Sequence, residues 1–292
     1  MSTCIWGPRR RSRRHRAPHA KGQDYARTLR RCTRPDPQLA FGALRKRHGW
    51  RARARDKGKA SLVDVEDRLG ALNALYEGRS AAAIIDHAVH EAFPGRIAFV
   101  SSFGAESAVL LHLMASVDPS IPVLFLDTNK LFGETVRYRS RLQHQFGLED
   151  VRVIGPRKAD LEREDPQGTL SMRDPDECCR LRKGEPLSRA LNGFDCWATG
   201  RKRHQTDFRK DMDVIEHDGD AYKLNPLAAW TRADIKEYFS AHKLPEHPLV
   251  RQGYFSIGCM PCTSKVEDDH DARAGRWAGQ AKTECGIHTP KK

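Results

Sequence analysis

What the sequence lacks narrows it quickly. No uninterrupted apolar run approaches the roughly 20 residues needed to cross a bilayer, which excludes a transmembrane helix. The N-terminus has no apolar stretch of the secretory kind, because Arg9, Arg10, Arg11, Arg13, Arg14 and Arg16 are followed by further charge. A cytoplasmic location is the expectation. Serine is scarce at the start, with only Ser2 and Ser12 in the first sixty residues, so a transit peptide is weakly supported. Neither the G-x-x-x-x-G-K-[ST] phosphate loop nor the three-glycine dinucleotide fingerprint occurs, and there is no internal repeat.

Acidic residues are scarce only locally. The 292-residue chain carries a formal charge of +13, but residues 1–60 hold 19 of its 51 basic side chains against three acids, Asp24, Asp36 and Asp56. The remainder therefore has 32 basic and 35 acidic groups and is nearly neutral. Whole-chain charge is thus no argument for a nucleic-acid partner. Residues 1–60 are Arg-rich, poor in Val and Ile and without sustained periodicity, and are expected to form a disordered basic extension. Three readings compete for it: a transit peptide, an RNA- or DNA-binding tail, or a preface created by a start codon assigned too far upstream. Met1 is followed by no other Met until Met114, so a later start near Val63 or Val65 would use a non-ATG codon. Residues 61–292 are long enough to bury one sizeable core, and one domain is expected.

From residue 61 the sequence becomes patterned. Residues 64–76 and 80–93 place apolar side chains at three- and four-residue spacing, the second behind Ser80 in N-cap position, and read as amphipathic helices. Residues 96–102, 122–127, 151–154 and 194–199 are short apolar runs bounded by polar or turn residues, as buried parallel strands require. Helical stretches at 106–117, 132–146 and 178–191 lie between them. The alternation predicts an α/β fold with a doubly wound, mostly parallel sheet. A hairpin at 213–224, a helix at 231–242 and a loop-rich C-terminal segment follow.

Ligands of such sheets bind at the carboxyl ends of strands. The first strand runs into Ser101-Ser102-Phe103-Gly104-Ala105-Glu106-Ser107 and then an apolar helix, a turn whose N–H groups can face an anion. Leu126-Asp127-Thr128 closes the second strand. Thr199-Gly200-Arg201-Lys202-Arg203-His204 closes a later one with cations suited to a polyanionic ligand.

Eight cysteines stand at 4, 32, 178, 179, 196, 259, 262 and 285. In a reducing compartment they point to metal binding or catalysis rather than disulfides. Cys178-Cys179, opening the 178–191 helix, and Cys259-Met260-Pro261-Cys262 supply four thiolates, enough for tetrahedral zinc or a four-iron cluster. Adjacent side chains are awkward to aim at one small ion, which tilts the choice towards iron–sulfur, and Arg180, Arg182 and Lys183 would offset a cluster's negative charge. Cys196 lies within an apolar strand and reads as a small core residue. Cys285, in a polar segment near Lys282 and His288, could be an exposed thiol of lowered pKa.

Taken in order, SSFGAES, LDT followed by LFGET, CCRLRKGEPL, ATGRKRHQT, KLNPLAAWT, GYFSIGCMPCT and RAGRWAGQAKTECGIH resemble the assimilatory sulfonucleotide reductases, and within them the iron–sulfur adenylyl-sulfate reductases. The resemblance covers about residues 62–289. It implies an adenine-nucleotide α-hydrolase-like fold, with Ser101, Ser102, Phe103, Gly104 and Glu106 around a nucleotide phosphate and Leu126 and Thr128 near the adenosine. It implies a [4Fe-4S] cluster on Cys178, Cys179, Cys259 and Cys262, and makes 265–292 a catalytic segment with Cys285 as nucleophile. The implied reaction is reduction of adenosine 5′-phosphosulfate (APS) to sulfite and AMP in sulfate assimilation, through an S-sulfocysteine resolved by thioredoxin or a similar dithiol. Lys202, Arg203, Arg273 and Arg276 would screen the approach of thiolate to sulfate.

The chain departs from that pattern at Asn129-Lys130-Leu131-Phe132-Gly133, at His204 in place of the commoner Asp, and at Ser264 in place of an Arg. The departures bear on choice between APS and its 3′-phosphorylated form (PAPS), and the four cysteines favour APS. Competing readings are a PAPS or dual-specificity reductase, a tRNA-thiolating ATP pyrophosphatase, and a zinc module whose tail binds nucleic acid. A homo-oligomer is compatible with the sequence; membrane and nucleic-acid partners are disfavoured.

Overall fold

In the computed structural model the described residues are 62–267, 271, 273–280, 282 and 284–288. The expected basic extension of residues 1–60, with Cys4 and Cys32, lies outside them. All described residues belong to one compact unit.

Six strands form one sheet in the order β3-β2-β1-β4-β6-β5, where β1 is Ile97–Ser101, β2 Val123–Leu126, β3 Val151–Ile154, β4 Cys196–Ala198, β5 Ile215–Asp218 and β6 Ala221–Leu224. Pairs β1–β2, β2–β3, β1–β4 and β4–β6 are parallel. Only the β5–β6 hairpin is antiparallel, turning at Gly219 with φ 69°. The strands predicted from apolar runs are all present, each shortened by a residue or two at its ends where it was overextended.

Period-two alternation divides the core between two faces. Ile97, Phe99, Val123, Phe125, Cys196 and Ala198 point to one, where they pack with α1 (Leu62–Tyr76), α2 (Ala81–His87) and α3 (Ser107–Val117). Ala98, Val100, Leu124, Leu126 and Trp197 point to the other, against Leu187 and Phe194. Cys196 is fully buried, as its strand position implied. Ser80 caps α2 by accepting from the Ala83 amide at 3.3 Å, and a π-helical turn, Ala88–Ala92, completes that element.

The helix α4 (Gly133–Gln145) links β2 to β3, and short helices α5 (Lys158–Glu164) and α6 (Leu170–Arg173) follow. The helix expected to open at Cys178 begins earlier. Asp174 accepts from the amides of Asp176 and Glu177 at 3.1 and 2.9 Å, and Pro175 fills the first turn, so α7 is Pro175–Cys179 and the cysteine pair closes it. A π-helical turn, Arg180–Gly184, leads into α8 (Glu185–Ala190), where Pro186 lacks the N–H a regular ladder would use. After α9 (Arg232–Ala241), capped by Thr231 and Asp234, the described chain has only the 3₁₀ turns Val250–Gln252 and Met260–Cys262.

Candidate active site

A cavity of about 790 Å³ opens at the carboxyl ends of β1, β2 and β4. Ser101, Ser102, Gly104, Glu106, Leu126, Lys202, Arg273, Arg276 and Cys285 line it, so most residues singled out in the sequence meet in one place. Three of the expected substrate contacts do not reach it. Phe103 is fully buried beneath the loop with φ 49°, its ring edge-on to Phe125 at 5.3 Å. Arg203 turns away to donate from Nε to the Met212 carbonyl at 2.8 Å. Thr128 is buried behind the cavity, its hydroxyl 3.2 Å from Cys259 Sγ.

The nucleotide-type loop is drawn tight by Ser101, whose Oγ accepts from the Phe103 amide at 3.1 Å. Glu106 stands just before α3, and its carboxylate is 2.7 Å from Lys202 Nζ and accepts from Gln205 Nε2 at 3.2 Å. Burial opposes its charge, but Lys202 and the other partners prevail and hold the carboxyl below its usual range. Gly104 is required by contact: a Cβ there would sit 2.9 Å from the Ile257 carbonyl oxygen, on the loop leading to the C-x-x-C turn.

Both cysteine segments are tied to the loop after β2. The loop after β2 bridges the C-x-x-C turn at Leu131 and Cys259, and the Met260 amide donates to Lys130 O at 2.7 Å. Arg182, buried against Asp165 at 2.6 Å, also donates to Thr128 O at 2.9 Å. Thr263 Oγ1 donates to Cys259 O at 2.9 Å and accepts from the Gly258 amide. Cys178, Cys179, Cys259 and Cys262 are each less than 9% exposed and free of disulfides. Burial pushes the Cys178 and Cys262 thiols up, and neighbouring sulfurs of the set add to it. Among the described residues no three His, Cys, Asp or Glu side chains converge as one metal ion requires.

Cys285 meets this cluster. Its Sγ lies 3.5 Å from Lys183 Nζ, and it packs with Cys259, Cys262 and Trp277. The Cys285 thiol is held well below the usual range, first by a hydrogen bond from Cys179 and then, against burial, by Lys183; Cys179 is raised in return. If Cys179 is committed to a metal it has no proton to give, and Lys183 remains as the standing cation. Burial works against the charge of Lys183, but the sulfurs of Cys259, Cys285 and Cys179 overcome it and keep its pKa high. Gly286 permits the approach, since a Cβ there would be 3.3 Å from Cys179 Cβ.

Of the cations proposed to offset a cluster, Arg182 and Lys183 face the sulfurs but Arg180 does not. It lies one helical turn from Glu177 and is bound by Glu177, Glu164 and Glu185. Lys282 is likewise paired with Asp176. Arg276 instead comes to the site, donating to Cys262 O at 3.1 Å and lying 4.4 Å from the Trp277 ring centre. Sequence reasoning missed Arg209 and Glu284, which form a buried two-point ion pair beside Cys285 at 2.6 and 2.7 Å. It also missed the partnership of buried Arg201 with Glu216, and Lys223, which lies 4.7 Å from the Trp197 ring. The Trp197 ring stacks on His288. Polar residues at these positions were visible, but no spacing rule joins groups so far apart in the chain.

Comparison with known proteins agrees with this geometry. A family model described as the phosphoadenosine phosphosulfate reductase domain matches residues 96–265. A protein of Chelativorans sp. (strain BNC1) named adenosine 5′-phosphosulfate reductase is 50% identical over 233 residues, 80% of this chain and 95% of that one. One of the same name from Mesorhizobium japonicum is 50% identical over 231 residues, 78% and 91% of the two chains. The crystal structure of a phosphoadenylyl-sulfate reductase from Candida auris, a phosphate complex, superposes with a TM-score of 0.59 at 23% identity, covering 71% of this chain and 98% of that one. The mostly parallel sheet is therefore the nucleotide α-hydrolase-like fold. With the matched domain spanning more than half of its length, the chain belongs to the phosphoadenosine phosphosulfate reductase family.

Proposed function

We propose that the protein is an adenylyl-sulfate reductase of sulfate assimilation, converting APS to sulfite and AMP by way of a sulfonated Cys285. The observation that carries the reading is the meeting of Cys285 with the strand-end loop in one cavity, its sulfur 3.5 Å from Lys183 Nζ. The names of the relatives support it.

The Cys285 thiolate attacks the sulfur of the phosphosulfate. An S–S bond forms as the S–O bond breaks, and the electron pair leaves on the phosphate of AMP. Lys183, Arg273 and Arg276 lie where a cation lessens the repulsion between thiolate and sulfate. A thiolate of a dithiol donor, thioredoxin by family resemblance, then attacks Cys285 Sγ and releases sulfite with the S–S electron pair. Its second thiol displaces Cys285, and the donor leaves oxidised by two electrons.

Four buried thiols on two segments, each tied to the loop after β2, with Arg182, Lys183 and Arg276 acting on them, fit the donor set of an iron–sulfur cluster. Cys178, Cys179, Cys259 and Cys262 would hold it. When bound, the group supplies a fixed charge that tunes the site rather than the reducing electrons. Glu106 favours APS over PAPS: its carboxylate, just before α3 and beside Lys202, adds a negative charge to the cavity that a second phosphate would have to meet.

Mass spectrometry of the protein after exposure to APS without a dithiol should show a sulfonate adduct on Cys285. ATP turnover with tRNA and none with APS would overturn the reading in favour of the thiolating class.

A further inference from the structure

Cys285 belongs to a segment without regular secondary structure, yet its backbone is held by one side chain. The Cys285 amide donates to Glu284 Oε1 at 2.8 Å. Both oxygens of Glu284 are taken by Arg209, Nε at 2.6 Å and Nη2 at 2.7 Å, and Arg273 Nη2 approaches Oε1 at 3.4 Å. Arg209 and Glu284 are about 95% buried, where a bidentate pair is geometrically demanding and costly to break.

The contact continues. Arg209 Nη1 donates to Gln205 Oε1, which also accepts from the Lys202 amide at 3.1 Å. Gln205 Nε2 donates to Glu106 Oε2 at 3.2 Å, the oxygen that lies 2.7 Å from Lys202 Nζ. An unbroken chain of charge-assisted hydrogen bonds thus runs from the loop at the start of α3 to the amide of Cys285. Glu106, Lys202, Gln205 and Arg209 come from the nucleotide side of the cavity, Glu284 and Cys285 from the C-terminal segment.

We propose that Glu284 is a positioning residue which, through Arg209 and Gln205, couples occupancy of the nucleotide loop to the placement of Cys285. A nucleotide that engages the Lys202–Glu106 pair changes what Gln205 and Arg209 can offer Glu284, and the carboxylate passes that change to the amide beside the sulfur. The cavity is then readied for sulfur transfer only when a nucleotide is in it. The inference rests on the reading of Cys285 as the transferring thiol, but concerns its placement, not its identity.

The test uses the full-length holoenzyme, with alkylation of Cys285 by iodoacetamide, followed by mass spectrometry, as a readout separate from turnover. AMP should change the alkylation rate of the wild type by at least about fivefold, the lower end of usual site–site coupling. Glu284→Gln and the milder Gln205→Met should abolish that response while AMP affinity by calorimetry stays within about threefold, since neither removes the nucleotide loop. In turnover, Glu284→Gln should lower kcat by about 10²-fold with little change in KM, as expected for misplacement of a reacting group. The double variant Arg209→Met/Glu284→Gln should be no worse than the poorer single variant. An AMP response in folded, iron-containing Glu284→Gln or Gln205→Met equal to that of the wild type would overturn the proposal, as would additive effects in the double variant. The nucleophile reading fails separately, if Cys285→Ser still forms sulfite.

Discussion

The two walls of the cavity are built differently. On the nucleotide wall, Ser101, Leu126 and Thr199 stand at the ends of neighbouring parallel strands, and the backbone ladder fixes them to one another before any side chain is considered. On the thiol wall, residues 253–288 contain one described 3₁₀ turn, and position comes from side-chain bonds such as Arg209–Glu284, Thr263–Cys259 and Arg276–Cys262. The strand frame of the first wall does not rest on single polar side chains. The second depends on them one by one, because a buried polar group that loses its partner retains the full desolvation cost.

The sharpest way to separate the walls is Cys285→Ser. Sulfite release should fall by about 10⁴-fold or more, as for loss of a covalent nucleophile, while nucleotide affinity and bound iron persist; sulfite release and metal content are the measurements. Next in size, Cys178→Ala or Cys259→Ala should strip iron and lower activity yet leave the sheet folded by circular dichroism. Full iron retention in either would remove that residue from the ligand set.

On the nucleotide wall, Glu106→Gln removes a carboxylate whose charge would repel a second phosphate. The ratio of kcat/KM for PAPS over APS should rise by about tenfold, comparable to deleting one partly screened like charge. A Cβ at Gly104 must displace the Ile257 carbonyl, so Gly104→Ala should cost about 1–3 kcal/mol and disturb both walls at once. Thermal unfolding and nucleotide affinity check it.

A pH-dependent effect arises from a buried lysine away from the lined cavity. Burial lowers Lys223 to about 8 from its ordinary 10.5, and Asp218, 3.9 Å away, compensates weakly. Below about pH 8 the folded protein carries this buried charge at full cost; between there and 10.5 the unfolded chain holds a proton that the folded chain has released, so stability rises with pH. The gain is about 3 kcal/mol at most. Lys223→Met should raise Tm at neutral pH by a few degrees and flatten that slope relative to the wild type, measured by unfolding from pH 7.5 to 10.

The same contrast explains what the sequence revealed. Strands 97–101 and 123–126 were legible because buried parallel strands are continuous apolar runs closed by turn residues. Cys285 and the cysteine pairs stood out through motif resemblance, and the structure packs Cys285 with Cys259 and Cys262. The start of α7 was misplaced because Asp174-Pro175 is a capping signal set in a polar stretch, while the eye falls on the cysteines. Arg203 and Arg180 were assigned to the site from proximity in sequence, yet a carbonyl at Met212 and three carboxylates claim them. Glu284 and Arg209 went unseen because their partners are 75 residues apart.

The bridge between Leu131 and Cys259 carries a consequence for biosynthesis. Thr128 and Cys259 are 131 residues apart in the chain yet touch. On a ribosome the first cysteine pair emerges about eighty residues before its counterpart, with β4, β5 and β6 synthesised in between. If the four thiols hold a cluster, it can be completed only after Cys262 has been synthesised, and cells short of iron should accumulate the full-length apoprotein rather than a nascent chain.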